Sequence, residues 1–309
     1  MLAGCLVVVV HTVSEVVDHC GSAADLRSVV LPRTSRLAKT PAVPELPEVE
    51  IAAQNVARWV RGHRIRSLEV CDAKLAVEPH RVEGAVVQDV RRRGKYVVFD
   101  LHGPHAGHLI IHFRMTGKLV QFDPDRRFGP RMILHFIDAS SVAFEDARRL
   151  GEAWWVSSED LHRFFEDRKL GPEPWPMHRD GAWWAGRLAG ARGPIKATLM
   201  QQGRVAGLGN IAASEVCWLA RIDPKASVPT LCARNYSAIA EAVSLFIERT
   251  IREESGPEVH YINQGGEGSF SVYGREGQEC PRCAVPIARL VQSGRSTFHC
   301  PGCQLEPST

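Results

Sequence analysis

The first residues in this sequence that suggest chemistry are a proline and the two glutamates that follow it. The segment Pro44-Glu45-Leu46-Pro47-Glu48 looks like the start of a protein, although 43 residues precede it. If Pro44 were the first residue, its nitrogen would be a secondary amine, partly deprotonated near neutral pH, that can attack an electrophilic sugar carbon and form an iminium. Inside a peptide bond the same nitrogen is an amide with no basic lone pair. Glu45 is then a candidate general acid, and Glu48 is a second carboxyl one helical turn later.

The same segment has a simpler interpretation as the start of a helix. Proline is favoured in the first helical turn, and Glu48 and Glu50 favour the positive end of the helix dipole. Apolar residues then recur at helical spacing until Gly62, namely Val49, Ala52, Ala53, Val56 and Val60. These features predict a helix whether or not Pro44 is a nucleophile.

Four of the nine cysteines lie near the C-terminus in two closely spaced pairs. Cys280 and Cys283 form the first pair, Cys300 and Cys303 the second, and sixteen residues separate the pairs. This spacing is typical of a zinc ion held by four thiolates. Because four thiolates leave no open coordination position, the sequence predicts one structural Zn²⁺, which replaces a core that so short a segment cannot build. Disulfides or unrelated cysteines are the alternatives.

Three further positions are candidates for phosphate contacts. The turn Gly207-Leu208-Gly209-Asn210 precedes a predicted helix and offers backbone N–H groups to an anion, although Gly-Asn is also an ordinary helix cap. Arg295 lies in the loop between the cysteine pairs, where an arginine can contact phosphate or remain solvated. Lys95 ends the basic run 91–95. Such runs are usually solvated surface, but Lys95 immediately precedes a predicted strand.

Two apolar residues lie in otherwise polar turns. Met115 follows Arg114, and Leu150 follows Arg148-Arg149. Each apolar side chain can belong to the core, or it can act as a wedge that enters a stack of bases.

The elements that must position these residues begin with a β-rich region. From residue 67 to about 147 the hydrophobic pattern has a period of two, and strand-like runs occupy 97–99, 109–115 and 132–136. This pattern predicts a domain of the sandwich type.

The second part of the sequence is helical. A proline-rich stretch at 171–176 is typical of a linker. Beyond it the pattern predicts short helices at 196–202 and 211–219, and a long amphipathic helix that ends near Gly256.

Composition limits the class of protein. A chain of 309 residues allows two or three packed units, and its 44% hydrophobic and 24% charged residues are typical of a soluble globular protein. The net charge of +3 is small, so a site for a polyanion must come from local clustering of basic residues. No apolar run approaches the roughly 20 residues that span a membrane, and we expect no membrane partner.

Taken together, these motifs resemble the formamidopyrimidine-DNA glycosylase and endonuclease VIII family of base-excision repair enzymes. The likeness runs in order to the C-terminus through the four cysteines and the segments that begin at Pro44, Gly94, Ile111, Gly171, Ile195, Gly207 and Val272. Several motifs in register are far more specific than one. They favour the interpretation of Pro44 as an N-terminal amine.

The resemblance implies an α+β fold: an N-terminal helix on a β-sandwich, then a helix-two-turn-helix domain with a C-terminal zinc-finger hairpin, and DNA in the cleft between. It implies that Pro44 attacks C1′ of the damaged nucleoside and that Glu45 assists opening of the sugar ring. Lys95 would assist catalysis and hold a phosphate, and Glu48 is a further catalytic candidate. The iminium permits β- and δ-elimination, so the same site cuts the strand.

The resemblance also implies the contacts with damaged double-stranded DNA. Lys196, Asn210 and Arg295 would hold the phosphates around the lesion. Met115, Arg148 and Leu150 would fill the space that the flipped base leaves.

Three departures from the family pattern bear on specificity. Leu150 stands where an aromatic residue is usual, so a wedge there stacks less well. Ala212 replaces a common tyrosine, which removes a hydrogen-bond donor. The loop between Gly256 and Val272 is shorter than the one that usually covers an extruded base.

The expected function is a bifunctional DNA glycosylase and abasic-site lyase that excises oxidised purines, formamidopyrimidines first, with 8-oxoguanine as a further candidate. One alternative is specificity for oxidised pyrimidines or abasic sites on the same fold. The other is a non-catalytic, zinc-containing DNA-binding protein, which requires that Pro44 is not N-terminal.

The expected organisation has four parts. Residues 1–43 are an extension outside the family pattern that is not translated or is removed, with Val43 as the initiator if its codon is GUG. Residues 44–165 form the catalytic sandwich, 175–256 the helix-two-turn-helix domain, and 272–305 the zinc finger. We expect a monomer in the bacterial cytoplasm, associated with the nucleoid through DNA.

Overall fold

The computed structural model describes residues 43–125, 129–256 and 270–305. The expected extension lies outside these residues except for Val43, and so does most of the expected short loop, at 257–269. Across the described residues an N-terminal helix is followed by eight strands, five further α-helices and a two-stranded hairpin. The expected α+β architecture is therefore confirmed.

Helix α1 (Leu46–Val60) joins the two halves of the protein. Pro47 lies in its first turn and the Glu48 carboxylate accepts a hydrogen bond from the Glu45 N–H at 2.8 Å, as a helix start requires. Leu46 packs into the core of the helical half, whereas Val49 packs into the core of the sandwich. One helix thus anchors in both cores within its first turn.

Two four-stranded antiparallel sheets form the sandwich. Its strands are β1 (Ile65–Val70), β2 (Val86–Arg93), β3 (Tyr96–His102), β4 (Gly107–His112), β5 (Gly117–Gln121), β6 (Met132–Phe136), β7 (Ser141–Asp146) and β8 (Glu152–Ser157). One sheet has the order β1-β6-β7-β5 and the other β2-β3-β4-β8. The apolar faces of both sheets and of α1 share one core, as the period-two pattern predicted.

Strand β4 ends three residues earlier than the alternating pattern predicted. Arg114 has a φ of 55° and the Gly117 N–H donates to the Phe113 carbonyl oxygen at 3.0 Å, so residues 113–117 form a tight turn. Ile110, on the face away from the sandwich core, is also buried, because helix α2 (Leu161–Asp167) contributes Phe165 to a second apolar cluster there.

The helical half surrounds a separate core. Its elements are α3 (Gly181–Leu188), α4 (Ile195–Leu199), α5 (Asn210–Leu219), α6 (Ala233–Glu254), and the hairpin of β9 (Ala288–Gln292) and β10 (Arg295–His299). Helix α5 packs between α6 and β10, and the zinc-finger cysteines Cys280, Cys300 and Cys303 join the same core. In the described parts of the chain, no helix is long and apolar enough to cross a bilayer.

The proline-rich stretch that the sequence predicted as a linker is fixed to the sandwich. The Glu173 carboxylate accepts hydrogen bonds from the Gly94 N–H and from Arg93 Nη1, both at 2.6 Å. On the helical side, Pro172 accepts from the Ala206 N–H at 3.0 Å. The segment therefore holds the β2–β3 turn against the second half of the protein.

Part of the basic run 91–95 is buried, which differs from the expected solvated surface. The Arg92 side chain is only 3% exposed, and its guanidinium binds Glu50 Oε2 at 2.9 Å as well as the Glu173 carboxylate. Arg92 thus links α1, the second strand and the linker, because burying its charge requires acidic partners.

Candidate functional site

The Glu45 carboxylate lies at the N-terminus of helix α5. Its Oε1 accepts from the Ile211 N–H, and its Oε2 from the Gly209 and Ala212 N–H groups, each at 3.0 Å. The side chain is 3% exposed. Backbone N–H groups at a helix start bind anions. The glycine-rich turn that the sequence offered to a phosphate is therefore occupied by a carboxylate of the protein itself.

Lys95 reaches the same point from the sandwich. A Cβ atom added at Gly209 would lie 2.2 Å from Glu45 Oε1 and 2.6 Å from Lys95 Nζ. Only glycine leaves room for both charged groups at this turn. Pro44 precedes Glu45 in the chain and is buried. The turn at Gly209 thus brings together two of the predicted catalytic residues, Glu45 and Lys95.

The Glu48 carboxyl group holds the backbone of Glu45 in place. Its Oε2 accepts from the Glu45 N–H at 2.8 Å. Burial, followed by the charges of Glu254 and Glu45, raises the pKa of Glu48 to about 8. The carboxyl is therefore mostly protonated at neutral pH, which is the state that a proton donor needs.

Replacing Glu48 by glutamine is expected to change how stability depends on pH. The folded-state pKa of about 8 lies above the ordinary value of 4.5, so the folded parent binds more protons between these pH values. The Glu48 carboxyl therefore contributes a loss of stability as pH rises from about 4.5 to about 8, and Glu48→Gln lacks this contribution. Urea unfolding at pH 5 and pH 8 measures this effect. A difference between the two proteins that stays constant with pH would contradict the assignment.

Lys196 lies on α4 and is buried against the hairpin. Its side chain is 1% exposed, and Nζ donates to Thr297 Oγ1 at 2.9 Å, to the Ser296 carbonyl oxygen at 3.4 Å and to Asn210 Oδ1. Burial, and to a smaller extent the charge of Arg295, lowers the pKa of Lys196 to about 8. With three acceptors inside the protein, Lys196 is placed to hold Asn210 and the hairpin.

Asn210, the first residue of α5, connects this helix to the zinc-finger hairpin. Its Nδ2 donates to the Ser296 carbonyl oxygen at 3.0 Å and to the Tyr273 hydroxyl at 3.2 Å. Arg295 is exposed at the start of β10 beside this group. The three predicted phosphate contacts Lys196, Asn210 and Arg295 are thus adjacent, but Arg295 is the one that faces solvent, and the buried Lys196 gives no support to a direct phosphate contact.

Met115, Arg148 and Leu150 lie on two neighbouring loops. The Thr116 hydroxyl donates to Asp146 Oδ1, and the Arg148 N–H donates to Thr116 Oγ1 at 3.2 Å, so the loops are tied together. Leu150 is 47% exposed. This exposure excludes the core interpretation of Leu150, whereas Met115 is half-buried.

His112, to which the sequence analysis gave no role, is the last residue of β4 and lies near the charges of Arg114 and Lys95. Burial, then the charges of Arg114 and Lys95, lower the pKa of His112 to about 3, so the ring is neutral. Its Nδ1 accepts from the Arg114 N–H at 3.1 Å. No local pattern marks this histidine, since its position depends on how β3 and β4 pair. Tyr273, the partner of Asn210, was also missed.

The four cysteine Sγ atoms lie within 4.8 Å of one another. The Sγ–Sγ distances are 3.8 Å between Cys280 and Cys303 and 3.4 Å between Cys283 and Cys300. A tetrahedron with Zn–S bonds of about 2.3 Å has sulfur atoms about 3.8 Å apart, so the cluster fits zinc. Trp218 Nε1 of α5 donates to Cys280 Sγ at 3.4 Å. The predicted structural zinc site is confirmed, and it is joined to the helix that begins at Asn210.

Removing zinc is expected to abolish DNA binding before it unfolds the sandwich. The hairpin supplies Ser296, Thr297 and Arg295 to the cluster around Lys196, and without metal the four cysteines are no longer held together at its base. Elemental analysis should find one zinc per chain, and Cys283→Ser should lose both metal and affinity for duplex DNA. Cys232→Ser, at an exposed cysteine outside the cluster, is the matched control. Unchanged binding in the metal-free protein would contradict this expectation.

Three family models match the chain in order. The formamidopyrimidine-DNA glycosylase N-terminal domain matches residues 43–153, and the formamidopyrimidine-DNA glycosylase H2TH domain matches residues 170–260. The zinc finger found in FPG and IleRS matches residues 277–305.

Individual relatives agree over their full length. A formamidopyrimidine-DNA glycosylase of Streptococcus pneumoniae is 34% identical over 275 residues, which cover 85% of this chain and 99% of the relative. The enzyme of that name from Cereibacter sphaeroides is also 34% identical, over 284 residues, with 85% and 100% covered.

Solved structures show the same correspondence. The Lactococcus lactis Fpg bound to DNA with an abasic site superposes with a TM-score of 0.75 at 28% identity, covering 85% of this chain and all of that one. A structure of MutM with DNA that contains carbocyclic 8-oxo-G gives a TM-score of 0.75 at 29% identity, with the same coverage.

Proposed function

The chain belongs to the formamidopyrimidine-DNA glycosylase family, and from this premise we propose which of its residues excise the base. It is a DNA glycosylase and abasic-site lyase of base-excision repair that binds DNA and acts on oxidised purines. One structural zinc stabilises its C-terminal hairpin. The alternatives of pyrimidine specificity and of a non-catalytic DNA-binding protein are not favoured.

Pro44 and Glu45 carry out the first chemical step in this proposal. The Pro44 nitrogen forms a bond to C1′ while the bond from C1′ to the base breaks, and the base leaves with the proton that the attacking amine gives up. Glu45 donates a proton to the ring oxygen, and the opened sugar remains as an iminium on Pro44. Loss of a C2′ proton then expels the 3′ phosphate, and a second elimination expels the 5′ phosphate.

The observation that carries this proposal is the position of the Glu45 carboxylate. Three N–H groups at the start of α5 orient it, and Lys95 lies against the same Gly209. The carboxyl of Glu45 is thus held by the helical domain, while its backbone directly follows the proposed nucleophile, so its position relative to Pro44 is fixed. Lys95 stabilises the negative charge of the adjacent phosphate.

The proposal requires a free amine at Pro44. Support comes from the family match, which begins at residue 43, and from the relatives, which are covered over 99–100% of their length by 85% of this chain. We propose that the working protein begins at Pro44 and that the domains span 44–165, 175–256 and 272–305. The intact mass and N-terminal sequence of the protein from its native cell test the start site.

The remaining residues are proposed to hold and distort the duplex. Arg295 and Asn210 contact backbone phosphates, with Lys196 as their anchor, and Met115, Arg148 and Leu150 fill the space of the flipped base. We further propose that the enzyme works as a monomer on nucleoid DNA in the bacterial cytoplasm.

A panel of lesion duplexes tests the function directly. Oligonucleotides with a formamidopyrimidine, 8-oxoguanine, an oxidised pyrimidine or an abasic site are incubated with the protein, and strand cleavage is measured under single-turnover conditions. Cleavage should be fastest at the abasic site and the oxidised purines. Faster cleavage at oxidised pyrimidines than at either purine would overturn the proposed specificity.

A further inference from the structure

A buried arginine lies beneath the two loops that carry Met115 and Leu150. Arg131, which immediately precedes β6, is 1% exposed. Its Nε donates to Asp72 Oδ2 at 2.8 Å, and its Nη1 donates to the Gly151 carbonyl oxygen. The same Nη1 lies 3.5 Å from Asp146 Oδ2. One side chain therefore contacts both ends of the loop 146–151.

Asp146 connects the buried Arg131 to the exposed loop 146–151. Asp146 accepts from the Gly151 N–H at 2.6 Å, from the Arg148 N–H at 3.2 Å and from the Thr116 hydroxyl. The Asp146 carboxylate thus closes its own loop and fastens the neighbouring turn that bears Met115.

Asp72 extends the network to the remaining basic residue of the loop. Its Oδ2 lies 2.8 Å from Arg149 Nη2, and its Oδ1 accepts from the Lys74 N–H at 3.1 Å. Burial alone would raise the pKa of Asp72, but the Lys74 amide and the Arg131 guanidinium outweigh it and hold the pKa below its ordinary value. Asp72 is therefore a charged partner of the buried Arg131.

Packing leaves the loop little freedom. A Cβ atom added at Gly151 would lie 2.6 Å from Phe144 Cζ and 3.1 Å from Asp146 Oδ2. The Arg131 guanidinium lies 5.6 Å from the centre of the Phe144 ring. Arg131, Phe144 and Gly151 thus pack closely together beneath the loop 146–151.

We propose that Arg131 is a positioning residue for base extrusion. It acts through Asp146 and Asp72, which hold the loops 113–117 and 146–151 at a fixed distance from each other. Because of this, Met115, Arg148 and Leu150 enter the duplex together. The proposal rests on the proposed function and adds a specificity device to it. Its consequence is selective: a base that is still stacked must be displaced by these loops, whereas an abasic site has no base to displace.

The test compares two substrates with matched variants. Arg131→Met removes the charge at similar length, Arg131→Lys retains it, and Arg91→Met breaks an ion pair with Asp100 elsewhere in the sandwich as a control. Single-turnover cleavage is measured on duplexes with a paired 8-oxoguanine or an abasic site, below the melting temperature of every variant.

Arg131→Met should slow cleavage at 8-oxoguanine about tenfold or more relative to cleavage at the abasic site, because small misplacements of positioning groups carry costs of this order. Arg131→Lys should give an intermediate ratio, and Arg91→Met the parental ratio. Equal slowing on both substrates, or none, overturns the proposal. If Arg131→Met does not fold, Thr116→Val, which removes only the two hydrogen bonds that Thr116 makes between the loops, must show the same selectivity. All variants are made in a protein that begins at Pro44, and such a parent that cuts neither duplex would instead overturn the proposed function.

Discussion

A protein that begins at Pro44 is expected to be trapped on damaged DNA by borohydride, and the same chain with residues 1–43 attached is expected to give no adduct. The reason is that the Pro44 nitrogen is a basic amine in the first protein and an amide in the second, which cannot form an iminium. Base excision should fall on the order of a thousandfold or more when the nucleophile is blocked. Gel shift of the covalent complex measures trapping.

The control for this comparison is binding. Both proteins carry the same zinc finger and the same exposed Arg295, so their affinities for a duplex with an abasic-site analogue should differ little. The mass of each protein must be verified after the assay, since proteolysis of the longer chain would create the free amine. Equal trapping by a longer chain of confirmed mass would remove Pro44 from the mechanism.

Glu45→Gln is expected to reduce excision of an oxidised purine about a hundredfold or more, because glutamine cannot donate the proton that opens the sugar ring. The variant should also lose about 1–3 kcal/mol of stability, since its amide NH₂ would face backbone N–H donors at the start of α5. Single-turnover excision and urea unfolding measure the two effects separately.

Glu215→Gln is the matched control for the loss of stability expected of Glu45→Gln. Its carboxylate also accepts three backbone N–H bonds, from Ser271, Val272 and Tyr273 at 2.9 Å each, and it is 1% exposed. The two variants should be destabilised to a similar extent. Excision at the parental rate by a folded Glu45→Gln protein would show that Glu45 is not the acid.

The features that sequence predicted best are those that depend on neighbours along the chain. The zinc site follows from two local cysteine pairs, and the start of α1 follows from Pro47 and the glutamates of its first turn. The partner of Glu45 could not be found this way, because the Gly209 N–H lies 164 residues away and only packing of the two halves brings it near.

The main difference between the predictions from sequence and the structure is that several charged residues are buried. Arg92 belongs to a basic run that is typical of surface, and Lys196 was expected to contact a phosphate, yet both are buried against partners that are distant in sequence. Arg131 lies alone before a strand and has no periodic pattern around it. Its proposed role depends on Asp72, which follows β1, and on Asp146, which ends β7, so no local pattern predicts it.

The first turn of α1 makes the active site sensitive to events far from it. Leu46 belongs to the core of the helical half and Val49 to that of the sandwich, and a rise of 1.5 Å per residue separates them by about 4.5 Å along the helix axis. Glu45 and Glu48 lie at this junction. Loosening of either core is therefore expected to displace Glu45, the proposed proton donor, before the fold as a whole is lost, so that the rate of excision would report the integrity of both halves of the molecule at once.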